Sequence, residues 1–229
     1  MFAMAALLLL LAQWLQLVEG HAPLAAGVHL LPIAGGGLVA SLLAPVLAKR
    51  IGARLVLSGG LAVAGLGAVA LGAVPGELTY LTAALSMALV GAGAGSLAIA
   101  SAMIMAGSPP ERAGSAAAAE ETAYDLGTVL GVAVLGSLAA VVYRSRLDTA
   151  DLRAAGLPAD LEAQAEDSLG GAVAVADAAD LPGLAARAAE AFTESLATTG
   201  VVGGLVMLAV AVVVYRTAPA GLDITVQQH

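Results

Sequence analysis

Six apolar runs, each long enough to cross a bilayer as a helix, limit what this 229-residue chain can become. A membrane-spanning helix needs about 17–25 predominantly apolar residues. Such runs lie at approximately 2–18, 24–47, 53–74, 78–106, 112–143 and 198–216. Lipid offers nothing for backbone amides to bond, so stretches of this kind satisfy themselves as helices. The expected fold class is therefore all-α, a polytopic membrane protein with about six transmembrane helices. Only 11% of the residues are charged, against roughly a quarter in a soluble domain. The 28 glycines suit a bundle in which water does not drive packing, because small residues let helix backbones approach. With no cysteine, disulfides, thiolate metal sites and Cys nucleophiles are excluded.

The connections sort by charge. "AKRIGAR" puts Lys49, Arg50 and Arg54 between the second and third runs, Arg112 lies between the fourth and fifth, and Arg216 follows the sixth. The alternate connections, "VEGHAP" and "VPGEL", carry no Lys or Arg. The basic side is expected to be cytoplasmic by the positive-inside rule. On this reading residues 1–143 form a five-span bundle and 144–197 an extracytoplasmic acidic loop or hairpin. The last span is 198–216, and 217–229 is a cytoplasmic tail. The first run reads as a span with Trp14 at an interface. The alternative is a cleaved signal peptide, against which stands the lack of any Lys or Arg before the run. In the loop, four arginines face ten acids from Asp148 to Glu194. "LPGLAARAAEAFTESLA" has helical spacing, which predicts short helices over the outer mouth, with a disordered linker as the alternative. The glycine clusters at 35–37, 59–67 and 91–96 follow no strand-like run. They are read as helix-packing surfaces rather than phosphate loops.

The fifth run carries the chemistry. Glu120, Glu121 and Asp125 occur in it, and no Lys or Arg falls between Arg112 and Arg144. Glu121 and Asp125 stand one turn apart on one face, which Thr128 continues in one direction and Ala118 and Gly114 in the other. Glu120 lies roughly 100° away and stacks with Tyr124. An acid at mid-membrane costs about 2.5–3.5 kcal/mol on insertion scales, so such residues turn toward a bundle interior or a wet cavity. The alternative is a surface position, since Glu120 is only about 12 Å of helix rise beyond Arg112. A buried carboxyl group holds its proton to higher pH, and an arriving cation favours the ionised form. One site can then hold either protons or a cation, each displacing the other.

These residues carry a resemblance. "ERAGSAAAAEETAYDLGTVLGVAVLGS" followed by "YRSRL" resembles the thirteenth helix of the fourteen-helix drug:proton antiporters of the major facilitator superfamily, in particular the branch that exports quaternary ammonium compounds. "QWLQLVEGHAPLAAGVHLLP" resembles their ninth-to-tenth helix junction, and "APVLAKRIGARLVL" their basic loop after the tenth helix. The resemblance implies that Glu120, Glu121 and Asp125 couple protons and recognise cations; the helical repeat adds Tyr124 and Thr128 as accessory candidates, and imidazole chemistry adds His29. It also implies protons and small lipophilic cations as partners, and a bacterial plasma membrane as the location. Two departures stand out. The second span has no acid between Glu19 and Glu77, leaving His29 as a proton-relay or packing residue. And six spans supply only one of the two walls such transporters use, so an N-terminal half or a second copy of the chain is expected.

The leading expectation is a fragment or half-unit of a proton-coupled multidrug efflux antiporter. The alternative is a non-transporting remnant or a partner subunit of a complete transporter. An enzyme is not expected: His21, His29 and His229 have no metal-ligand spacing, and Ser96 and Ser101 have no base nearby in sequence. No cofactor or metal is expected. Nucleic acid is an unsuited partner because the Lys and Arg residues are few and scattered.

Overall fold

The computed structural model describes residues 1–73, 78–147 and 158–219, and every regular element among them is helical. In chain order these are α1 (Phe2–Gln13), α2 (Pro23–His29), α3 (Leu31–Ile51), α4 (Ala53–Ala73), α5 (Tyr80–Ala106), α6 (Ala113–Arg146), α7 (Ala159–Asp167), α8 (Leu169–Ala179) and α9 (Pro182–Thr217). A π-helical turn, Trp14–Val18, continues α1, and a 3₁₀ turn, Pro110–Arg112, precedes α6. Five stretches are long and apolar enough to cross a membrane: Pro23–Ile51, Ala53–Ala73, Tyr80–Ala106, Pro110–Arg146 and Gly183–Thr217. Phe2–Val18 is a shorter apolar helix. The chain is a multi-pass membrane protein.

Glycine sets how closely the long helices meet. A side chain at Gly36 of α3 would collide with the Ala88 backbone of α5, and one at Gly91 of α5 with the Ile33 backbone of α3. Between α4 and α9, a Cβ at Gly65 would lie 2.9 Å from the Gly204 carbonyl, and one at Gly72 would lie 2.7 Å from that of Ala197. The α4–α5 contact is tied by the buried Ser86 hydroxyl, which donates to the Gly67 carbonyl at 2.6 Å. Contacts therefore run from α3 to α5, α4 and α9, and from α9 on to α6 and α1. All three glycine clusters lie inside helices, and each places glycines at a helix–helix contact, Gly36 on α3, Gly60, Gly65 and Gly67 on α4, and Gly91, Gly93 and Gly95 on α5, which accounts for their density without any loop function.

Three features differ from the sequence expectation. The last helix begins at Pro182, not 198, and runs unbroken for 36 residues. Its first part is held by the apolar positions of the helical repeat: Leu184, Ala188, Ala191, Phe192 and Leu196 are all buried. They pack with the α7–α8 hairpin, where Leu169 and Val175 are also buried. The Tyr143 hydroxyl, at the end of α6, donates to the Ala165 carbonyl of α7 at 3.0 Å. Trp14, expected at an interface, is buried in the bundle, and its indole N–H donates to the Thr193 hydroxyl of α9 at 3.2 Å. Finally, the second apolar run is divided at Leu30 into α2 and α3. Residues 148–157 of the acidic connection and the tail from 220, including His229, lie outside the described residues.

Candidate functional site

The acids stand on the half of α6 that this chain leaves uncovered. The buried residues of α6 are Gly131, Leu135, Ala139 and Tyr143, all in its second half. At Gly131 the helix meets the Phe2 backbone of α1 too closely for any side chain. Before that contact α6 is flanked only lightly. Glu121 and Asp125 are exposed, and Glu120, Tyr124 and Thr128 are half-buried. The helical repeat thus gathers five of the six candidate residues on adjoining faces of one helix. The Tyr124 hydroxyl interacts with the Glu120 carboxylate.

The local bonding leaves the carboxylates available. The Thr128 hydroxyl donates to the Tyr124 carbonyl at 2.9 Å and the Thr122 hydroxyl to the Ala118 carbonyl at 2.7 Å. Each hydroxyl has spent its proton on the helix and can only accept. Among the described residues the ion pairs are Arg144–Asp167 and Arg146–Glu194, at the other end of α6. Among the described residues no cation pairs with Glu120, Glu121 or Asp125. Around them the helix exposes Leu126, Val129 and Leu130. A carboxylate stripe bordered by exposed apolar residues is suited to face a second protein wall, not lipid.

His29 does not join this group. The long helices run alternately between the two ends of the bundle, which places His29 at the end opposite the start of α6. There it stacks on His21 with ring centroids 4.1 Å apart, and Tyr80 meets it edge-on at 4.8 Å. Its Nδ1 bonds the Ala25 carbonyl at 2.8 Å. The Tyr80 hydroxyl donates to the His29 carbonyl at 3.2 Å, so these rings join the α1–α2 connection to the start of α5. Lys49, Arg50 and Arg54 lie at the end that also holds the start of α6. Arg54 stacks over the Tyr215 ring of α9 at 4.7 Å, a cation–π contact joining the α3–α4 turn to the end of α9.

Sequence reasoning passed over a polar concavity at the His29 end, lined in part by Trp14, Glu19, Glu190 and Glu194. The four-residue spacing of Glu190 and Glu194 was the available signal. The position of Glu19 depends on the π turn, which no local sequence pattern announces.

No family model matches the chain. Among curated proteins it is 36% identical over 210 residues to "Multidrug efflux pump LfrA" of Mycolicibacterium smegmatis, covering 89% of this chain and 40% of that protein. It is 39% identical over 214 residues to "Methyl viologen resistance protein SmvA" of Salmonella typhimurium, covering 88% of this chain and 41% of that protein. "Multidrug resistance protein Stp" of Mycobacterium tuberculosis is 32% identical over 148 residues. The chain thus spans about two fifths of the length of the first two relatives.

Proposed function

The chain belongs to the multidrug efflux pumps of the major facilitator superfamily, and from that premise we propose that it forms one wall of a proton-coupled antiporter for lipophilic cations. The observation that carries this reading is the stripe on α6: Glu121 and Asp125 are exposed on an apolar helix, with no cation beside them among the described residues. Transporters of this superfamily bind substrate between two halves that rock against each other. The second wall is the remaining part of a longer pump, or a second copy of this chain. Once that wall closes the cavity, the carboxyl groups hold protons until a cation arrives. The cation's charge favours the ionised form, so protons leave as it binds. When the cation departs on the other side, protons return, and their gradient drives the cycle.

Orientation follows from the basic end. Lys49, Arg50, Arg54, Arg112 and Arg216 gather there, and the positive-inside rule supports a cytoplasmic side for that end, which would put the α6 acids in the inner half of the membrane. The name of SmvA points to methyl viologen, an organic dication, and supports organic cations as the substrate class here. Aromatic residues are 3% of the chain, and Tyr124 is the one beside the acids. Most aromatic contact with substrate therefore comes from the second wall.

Proton-driven uptake of a fluorescent lipophilic cation into everted vesicles tests the proposal. The chain is expressed alone and with the N-terminal half of a related pump, each also as Asp125→Asn. Uptake in either setting that is lost in the variant supports it. Uptake unaffected by Asp125→Asn refutes the role of the stripe. If well-inserted protein shows no uptake in either setting, a non-transporting partner subunit becomes the better account.

A further inference from the structure

A long apolar groove runs between α3 and α4, with Ala92 and Ser96 of α5 as its floor. Both helices pack closely on α5 but meet each other only sparingly, which leaves the groove open along their length. Its volume is about 540 Å³. From Gly35 to Ile51 it follows α3 for about 24 Å of helix rise. Together these give a mean cross-section of about 22 Å², wide enough for one extended hydrocarbon chain. A helix of about 10 Å diameter would need about 1,900 Å³ over the same length. The lining is aliphatic or glycine apart from Ser96, whose hydroxyl already donates to the Gly93 carbonyl at 2.6 Å. The groove therefore offers no free side-chain donor and suits an apolar chain.

Two glycines keep the groove open without serving a contact inside the chain. A Cβ at Gly35 or Gly59 would meet nothing within 4 Å, and both residues are exposed along the groove. Glycine inside a helix is unfavourable relative to alanine. Gly36 and Gly60, also in the lining, are accounted for by their close approach to α5. What Gly35 and Gly59 provide is room for an occupant.

Charge identifies that occupant. Ile51 and Leu55 line the end of the groove on either side of the α3–α4 turn. In the last turn of α3, Lys49 and Arg50 are exposed and pair with no acid among the described residues. At about 100° per residue, Arg50 falls within the arc of α3 that carries Val39, Leu43 and Leu47 into the groove, and Lys49 stands beside it. Arg54 is engaged elsewhere, over the Tyr215 ring. A channel one chain wide, ending at two free cations, is complementary to an anionic amphiphile. Its length exceeds the roughly 15 Å of hydrocarbon in one leaflet, so a whole acyl tail fits. Basic pockets between membrane helices suit anionic lipid headgroups, and a guanidinium can hold a phosphate through two parallel bonds.

We propose that the groove holds one acyl chain of an anionic phospholipid whose phosphate bonds Arg50 and Lys49. The site is separate from the α6 stripe and does not depend on antiport. Native mass spectrometry of the purified full-length chain in detergent tests it, using phosphatidylglycerol and phosphatidylcholine with the same tails. Phosphatidylglycerol should bind one per chain and at least tenfold more tightly than phosphatidylcholine. Glycerol 3-phosphate, a headgroup without tails, should not displace it. The double variant Lys49→Gln/Arg50→Gln should bring the two lipids within twofold of each other. Gly35→Leu/Gly59→Leu fills the groove where no atom of the chain stands in the way. It should weaken both lipids at least tenfold without lowering the melting point. Should that double variant fail to fold, each single variant is read for the same weakening. Equal affinity for the two lipids, a preference that survives the glutamine variant, or binding that the leucine variants leave unchanged would overturn the proposal. Displacement by glycerol 3-phosphate would overturn it in favour of a free anion. A dimer that the leucine variants dissociate would overturn it in favour of a second copy of the chain.

Discussion

Replacing Gly36 with alanine should loosen α3 from α5, whereas the same change at neighbouring Gly35 should not. A Cβ at Gly35 meets nothing within 4 Å, but one at Gly36 lands on the Ala88 carbonyl, with its carbon at 2.8 Å and Cα at 3.1 Å. The obstacle is backbone, so no rotamer relieves it. Restoring ordinary carbon contact at about 3.5–4.0 Å requires the helices to part by roughly 1 Å, which forfeits up to about half of each dispersion contact there. Helix α3 rests mainly on α5, so little else compensates. We place the cost near the upper end of overpacking, about 3 kcal/mol. Alanine returns about 1 kcal/mol through helix propensity, leaving a net loss of about 2 kcal/mol at Gly36 and a gain of up to about 1 kcal/mol at Gly35. For a chain of this size those values correspond to a melting point lower by about 4–8 °C and higher by about 2–4 °C, respectively. Thermal unfolding of the two variants in one detergent measures both. Equal melting points, or a more stable Gly36→Ala, would refute the view that glycine sets this helix contact.

Three further outcomes follow from single residues and are read by the same thermal assay. Thr199 is fully buried and its hydroxyl has no partner among the described residues, so Thr199→Val should stabilise the protein by about 1 kcal/mol. Ser86→Ala removes the 2.6 Å bond to the Gly67 carbonyl and should cost about 0.5–1.5 kcal/mol. Gly52, between α3 and α4, has φ +91° and ψ 146° with open space around it. Gly52→Ala should therefore cost about 1–3 kcal/mol from backbone strain alone.

The helices were legible because apolar runs in lipid have few alternatives. The runs at 53–74 and 78–106 correspond to α4 and α5 within a residue or two. The start of α9 was not legible, because the apolar run begins near 198 while the helix begins at Pro182. Its first four turns alternate buried Leu184, Ala188 and Phe192 with exposed Glu190 and Glu194, a pattern that fits a separate surface helix equally well. The α6 acids were visible from spacing alone, since a fixed 3.6-residue repeat decides which side chains share a face. What they face was not, because that depends on a second wall. The concavity at the His29 end escaped for another reason: Trp14, Glu19, Thr82 and Glu190 come from three separate elements. Likewise the His21–His29 stack forms across a chain reversal at Gly20, whose φ is +71°.

The central claim is that one set of carboxyl groups trades protons for a cation. The most direct measurement is proton release on cation binding. Tetraphenylphosphonium is added to the purified chain, assembled with the N-terminal half of a related pump, in weakly buffered solution with a pH-sensitive dye. The account predicts saturable acidification, lost in the double variant Glu121→Gln/Asp125→Asn. Cation binding without proton release, or release that the Glu121→Gln/Asp125→Asn variant leaves unchanged, would contradict it.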